Sequence, residues 1–355
     1  MKRNPKPLAA AGALVLACVV AAVTPAHAAP RGPGDSTTGT ASAGPVSGTV
    51  ACTAGDGSGG RLAADVAAVL RHRSSRVSLE FEDHRTGTTC ELGARRTFDA
   101  ASTVKPIVLG TLLWTRHGEP SPPQKKLAEK MIVDSDNGAT AELWKELSST
   151  SGRGPQEPVK VREFLAAAHM DHTVPSSGGT FGLTRVTAPD LLRLLQVLRG
   201  GGGVLDPASR AYAFGLMARV RTDQRWGASA GAPEGAVVHI KNGWLQRSAQ
   251  ADDIDDRGDW KINSMAAVTG PGCDYDLVVL TENNRAAGGR PARAGYAYGV
   301  TTIEDVAKAV NRAEAGGDGK PAGKTAPSSA PEAAVAFGIA ALALAGHRSL
   351  GRKRR

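Results

Sequence analysis

Phe98-Asp99-Ala100-Ala101-Ser102-Thr103-Val104-Lys105 leads into the apolar stretch Val104 to Trp114. An apolar run of that length reads as a buried helix. If Ser102 opens the helix, Lys105 stands one turn on, on the same face. A serine hydroxyl is a weak nucleophile and needs a base as it attacks. A neutral lysine amine can be that base if burial and a second positive charge lower its pKa. The helix N-terminus adds a positive field that favours a developing alkoxide.

Two further stretches complete the pattern: Ser135-Asp136-Asn137 and Lys241-Asn242-Gly243. Ser, Asp and Asn are good helix N-caps, and Lys-Asn-Gly alone could be an exposed turn. In this order, however, the three stretches match S-x-x-K, S-D-N and K-T-G, with Asn242 where Thr is usual. From about Arg61 to Ala315 the chain thus resembles the class A β-lactamase branch of the penicillin-recognising serine hydrolases. The resemblance implies Ser102 as nucleophile, Lys105 as base, Ser135 as proton shuttle and Lys241 as the positive charge that also holds Ser135. It implies substrate contacts from Asn137 and Asn242. The backbone N–H of Trp244 would share an oxyanion hole with that of Ser102.

Two departures qualify the match. Ser102 and Ser135 are 33 residues apart, well short of the family's interval, so part of the helical lobe is expected to be missing. Ser135 and Lys241 keep the family spacing of 106. There is also no E-x-x-L-N, whose glutamate frees the acyl-enzyme in class A enzymes. The corresponding stretch is His169 to Ser176, where Asp171 lies nearest the right spacing. Acylation is therefore better supported than turnover.

The expected fold is α+β, a three-layer α/β/α arrangement. Its antiparallel sheet is assembled from both chain ends, with a helical region inserted between them. Arg76 to Asp83 alternates as a strand with one solvated face, Ser78, Glu80 and Glu82 pointing out. Arg85-Thr86-Gly87 turns it into a return strand, Thr88 to Leu92. Helical patterns cover Arg61 to His72, Gln124 to Val133, Ala139 to Leu147, Val159 to Ala168, Pro189 to Leu198 and Thr301 to Val310. The late strands are Ala236 to Ile240, Trp260 to Thr269 and Tyr275 to Thr281.

Residues 1–28 read as an export signal: Lys2, Arg3 and Lys6, an uncharged apolar run from Leu8 to Val23, then Ala26-His27-Ala28. Residues 29–60 read as a flexible leader, 316–332 as a linker, and 333–355 as an apolar segment with a basic tail that could touch a membrane. The apolar part, Ala333 to Gly346, is short of the ~20 residues that span a bilayer. These two ends carry eight of the chain's nine net positive charges, so its basicity is no nucleic-acid footprint. A secreted or envelope-facing location is expected. Of the four cysteines, cleavage removes Cys18, leaving Cys52, Cys90 and Cys273 for one disulfide of open pairing and one thiol.

No cofactor or metal is expected: His169 and His172 lack a carboxylate pattern, and Gly200 to Gly203 lacks a following lysine. Arg219, Arg221 and Arg225 are expected on a solvated surface. The chemistry expected is an acyl-serine hydrolase, a monomer acting on a β-lactam or peptidoglycan-type small molecule. The alternatives are a D,D-peptidase or esterase, or a wall-associated module that binds penicillin with little turnover.

Overall fold

The computed structural model describes residues 36–150, 156–285 and 293–314. The export signal, the linker and the C-terminal apolar tail lie outside the described residues.

In chain order the elements are β1 (Thr37–Ser42), β2 (Thr49–Ala54), α1 (Gly59–Leu70), β3 (Arg76–Asp83), β4 (Thr89–Leu92), β5 (Phe98–Asp99), α2 (Lys105–Thr115), α3 (Pro122–Val133), α4 (Asn137–Glu146), β6 (Ser149–Thr150), β7 (Gln156–Glu157), α5 (Val159–Ala167), β8 (Arg185–Val186), α6 (Ala188–Arg199), α7 (Pro207–Ala218), β9 (Val237–Gln246), β10 (Trp260–Gly270), β11 (Cys273–Glu282) and α8 (Arg293–Glu314). Seven strands form one antiparallel sheet in the order β1-β2-β4-β3-β11-β10-β9. The two chain ends meet where β3 pairs β11, from Tyr275 opposite Asp83 to Glu282 opposite Arg76. α1 and α8 pack together, with α8 against β10 and β11, while α6 and α7 contact the sheet from the inserted helical region. The α+β expectation therefore holds, and β9 is an edge strand of the sheet.

Over the described residues from 36 on, the expected flexible leader does not hold. Residues 37–54 form β1 and β2, strands of the main sheet. β1 is mostly exposed while Val50, Cys52 and Ala54 of β2 are buried, and pairing, close approach and a covalent tie add to the order. A Cβ on Gly59 would come 2.5 Å from the Cys52 carbonyl oxygen, so only glycine lets α1 lie on these strands. Cys52 of β2 is bonded to Cys90 of β4, a separation of 38 residues, and such a closure contributes about 4 kcal/mol by restricting the unfolded chain. Cys273 is a free, buried thiol.

A second correction concerns β3. Ser78 is buried, and Glu82 accepts a hydrogen bond from Gln196 of α6 at 2.7 Å. The face expected in solvent is covered by a helix, and the three-layer arrangement itself closes it.

Candidate active site

Ser102 lies in a single 3₁₀ turn, Ala101–Val104, that runs into α2. Ala101 has a left-handed φ of 48°, a conformation that costs an L-residue energy and persists only under outside constraint. The constraints are visible. Thr103 Oγ1 donates to the Ala100 carbonyl at 2.6 Å, and Asn263 Nδ2 donates to the carbonyls of Asp99 (2.8 Å) and Ala100 (3.1 Å). The Ala100 N–H donates to the Thr184 carbonyl at 2.8 Å. Asp99, fully buried, is held by Arg185 at 3.0 Å and Arg247 at 2.8 Å.

Lys105 is fully buried, and its Nζ lies 2.8 Å from Ser102 Oγ, 2.9 Å from Ser135 Oγ, 2.9 Å from Asn137 Oδ1 and 2.7 Å from the Ser135 carbonyl oxygen. Three sequence-predicted residues thus converge on a fourth. Ser135 reaches in because its φ of 56° turns the chain just before α4. Asp136 caps that helix, accepting the Ala139 N–H at 2.6 Å, and so has the structural part of the motif. Among these hydrogen-bonding neighbours there is no carboxylate. Desolvation pulls the Lys105 pKa down to about 7, with exposed Asp136 opposing weakly.

Lys241 is also fully buried, and desolvation followed by the positive charge of Lys105 holds its pKa well below the usual value. Its Nζ donates to the Asn242 carbonyl at 2.9 Å, so its hydrogen bond does not run to Ser135 as expected. Asn242 departs further. It is fully buried, with Nδ2 donating to the carbonyls of Gln224 (2.8 Å) and Trp226 (2.9 Å) and Oδ1 accepting from Ser264 Oγ at 2.6 Å. Strand alternation turns it away from the cleft, where it braces a loop and leaves no group for substrate. Gly243 faces the other way: a Cβ there would stand 2.6 Å from Ser102 N and 2.8 Å from Thr103 N. That contact brings the β9 edge against the Ser102 backbone, and Trp244 follows it, 36% exposed.

A family model, described as the β-lactamase enzyme family, matches residues 113–313, more than half of the chain. The chain belongs to the β-lactamase enzyme family. The match begins after Ser102 and Lys105, so the placement of those two rests on the geometry above. Solved structures similar to this β-lactamase-family chain include a β-lactamase from Desulfarculus baarsii (19% identity, TM-score 0.54, 71% of this chain and 96% of that one). Another is a protein designated PBP-A (20%, 0.53, 70% and 93%). A third is a β-lactamase from Streptosporangium roseum (16%, 0.54, 71% and 98%). At these identities the likeness establishes the fold. A search of curated protein sequences finds no match.

In this β-lactamase-family chain the Ser102 turn is flanked by the turn Phe181–Leu183, where a Cβ on Gly182 would sit 3.7 Å from Ala101 Cα. Asp171 is exposed in the turn after α5, and its negative charge raises the pKa of Asp190, which desolvation has already pushed up. The residue nearest the glutamate spacing therefore makes no hydrogen bond to Ser102 or Lys105. Arg219 pairs Glu129 at 2.8 Å, Arg221 pairs Asp223 at 3.2 Å, and Arg225 donates to the carbonyls of Ala218 and Val238. Sequence reasoning missed Asn263 and Asp99, the residues that hold the turn. Asp99 precedes the Ser102 turn in sequence but carries no distinguishing signal; only tertiary pairing gives it a task.

Proposed function

We propose that this chain is an exported acyl-serine hydrolase of β-lactamase type that opens β-lactam or related amide and ester bonds at Ser102. The observation that supports this most is the buried Lys105 amine, within 2.9 Å of both Ser102 Oγ and Ser135 Oγ. With a pKa of about 7, a large fraction of Lys105 is neutral at physiological pH and poised as a general base. Neutral Nζ takes the Ser102 proton as Oγ attacks the carbonyl carbon. The negative oxygen is received by the N–H groups of Ser102 and Trp244 at the β9 edge. The proton passes through Ser135 Oγ to the leaving nitrogen as the C–N bond breaks, and Asn137 orients the substrate amide. Hydrolysis of the acyl-enzyme then needs an activated water. With no E-x-x-L-N glutamate, Lys105 has that task without a carboxylate, so deacylation is slow.

This second feature favours a penicillin-binding or D,D-peptidase role among the alternatives. Incubation with a penicillin or a fluorophosphonate, followed by intact-mass analysis, is expected to give one adduct on Ser102 that Ser102→Ala abolishes. Absence of any adduct would remove the enzymatic reading. Nitrocefin turnover against D-alanine release from a wall peptide separates lactamase from peptidase.

A further inference from the structure

The peptide plane between Ala100 and Ala101, just before Ser102, has an alternative orientation. Ala100 has φ −62° and ψ −30°, and Ala101 follows with its left-handed φ of 48°. Rotating that plane by half a turn leaves Ala100 extended and carries φ of Ala101 out of the left-handed region. The flip would relieve Ala101. It would also swing the Ala100 carbonyl away from the Thr103 N–H, which donates to it at 3.1 Å, and so open the turn that holds Ser102.

Three donors hold the Ala100 carbonyl against this flip: the Thr103 N–H, Thr103 Oγ1 at 2.6 Å and Asn263 Nδ2 at 3.1 Å. The two from Thr103 belong to the turn and move with it. Asn263 brings the third from the sheet. It is fully buried on β10, directly opposite Gly243 of β9. Its Oδ1 accepts the Thr281 N–H of β11 at 3.3 Å, which directs the amide N–H groups at the turn, where Nδ2 also donates to the Asp99 carbonyl at 2.8 Å. Gly243 closes on the same turn from the neighbouring strand, since a Cβ there would stand 2.6 Å from Ser102 N. Two facing residues of adjacent strands thus grip the backbone on either side of Ala101. A strained conformation persists only where its surroundings over-determine it, and here they do.

We propose that Asn263 is a positioning residue of the Ser102 site: its amide keeps the Ala100–Ala101 peptide in the strained orientation and so holds the Ser102 N–H and Oγ where acylation needs them. This rests on Ser102 being the nucleophile proposed above. The test measures second-order rates of Ser102 adduct formation by intact mass for benzylpenicillin and for a small ethyl fluorophosphonate. Asn263→Ala is expected to slow both by about tenfold or more, as small misplacements of reacting groups do. The inflection near pH 7 set by Lys105 is expected to stay where it is. Ala101→Gly in the Asn263→Ala background is expected to recover about fivefold or more, because glycine holds a left-handed φ without strain and removes the drive to flip. Ala101→Gly alone is expected to be no faster than wild type. A merely structural role for Asn263 gives no such rescue. An Asn263→Ala rate within about twofold of wild type, a moved pH inflection, no rescue, or an equal acceleration by Ala101→Gly in the wild-type background overturns the proposal while Ser102 chemistry stands. If Asn263→Ala loses the native circular dichroism spectrum, Thr103→Val, which removes another donor to the same carbonyl, decides. Slowing that Ala101→Gly rescues supports the proposal; an unchanged rate, or slowing without rescue, overturns it. No wild-type labelling by either probe removes the nucleophile and this inference with it.

Discussion

Lys105 and Lys261 are both buried lysines of one domain, yet their surroundings give them opposite characters. Lys105 faces two hydroxyls, an amide oxygen and a backbone carbonyl. Lys261, only 2% exposed, faces three carboxylates: Asp256 at 2.7 Å, Asp259 at 3.0 Å and Glu282 at 3.1 Å. Desolvation pulls down the pKa of each. At Lys105 little opposes it, and the value falls to about 7. At Lys261 the hydrogen bond to Asp256 and the charges of Glu282 and Asp259, with a hydrogen bond to Asp259, outweigh desolvation and raise it. A buried lysine is a base where its neighbours are neutral and a structural cation where they are anionic. Around Lys261, a polar cavity of about 410 Å³ is lined by Arg76, Arg185, Arg247 and Asp256, and it extends the ion pairs that anchor Asp99 beneath the Ser102 turn.

The difference can be broken at several points. Replacing the nucleophile has the largest effect: Ser102→Ala is expected to give no adduct with a penicillin or fluorophosphonate by intact mass. Lys105→Met removes the base and should slow adduct formation by about 10²–10⁴-fold, the range for general base catalysis, with the circular dichroism spectrum unchanged. Lys261→Met should leave the chemistry of the folded protein intact but destabilise it by about 3 kcal/mol, because three carboxylates lose a buried partner; chemical denaturation measures this.

The smallest effect concerns Glu80, which stands opposite Glu91 across β3 and β4 and whose pKa desolvation, then that like charge, raises to about 8. A carboxyl whose folded pKa is raised loses stability as pH climbs from its unfolded value through the folded one. Glu80→Gln should therefore raise the melting temperature by about 2–4 °C at pH 8–9 and have no effect below pH 4.5.

Much of this was legible. Arg76 to Asp83 alternates so regularly that the strand was bounded as observed, and the order of the motifs placed Ser102, Lys105, Ser135 and Asn137 in one site. What escaped depends on tertiary context. Apart from Val50 and Cys52, β1 and β2 are made of Gly, Thr, Ala and Ser, and their place in the sheet depends on β4, α1 and the Cys52–Cys90 bond. The helix Pro207–Ala218 carries its signals in the sequence, an N-cap in which Asp206 accepts the Ser209 N–H at 3.0 Å and a proline at its start, without a strong apolar periodicity to accompany them. Asn242 was misassigned because a motif gives a position but not the direction its side chain takes from an edge strand.

The surroundings of Lys105 lower its pKa so that its neutral form can deprotonate Ser102. The most direct test of this claim is the pH dependence of the second-order rate of Ser102 adduct formation, followed by intact mass between pH 5 and 9. A lysine base with a lowered pKa makes the rate climb with pH and level off above an apparent pKa near 7. Lys105→Arg, charged throughout, should lose both the rate and the inflection. A wild-type profile that is flat, or an inflection that survives in Lys105→Arg, would contradict the claim.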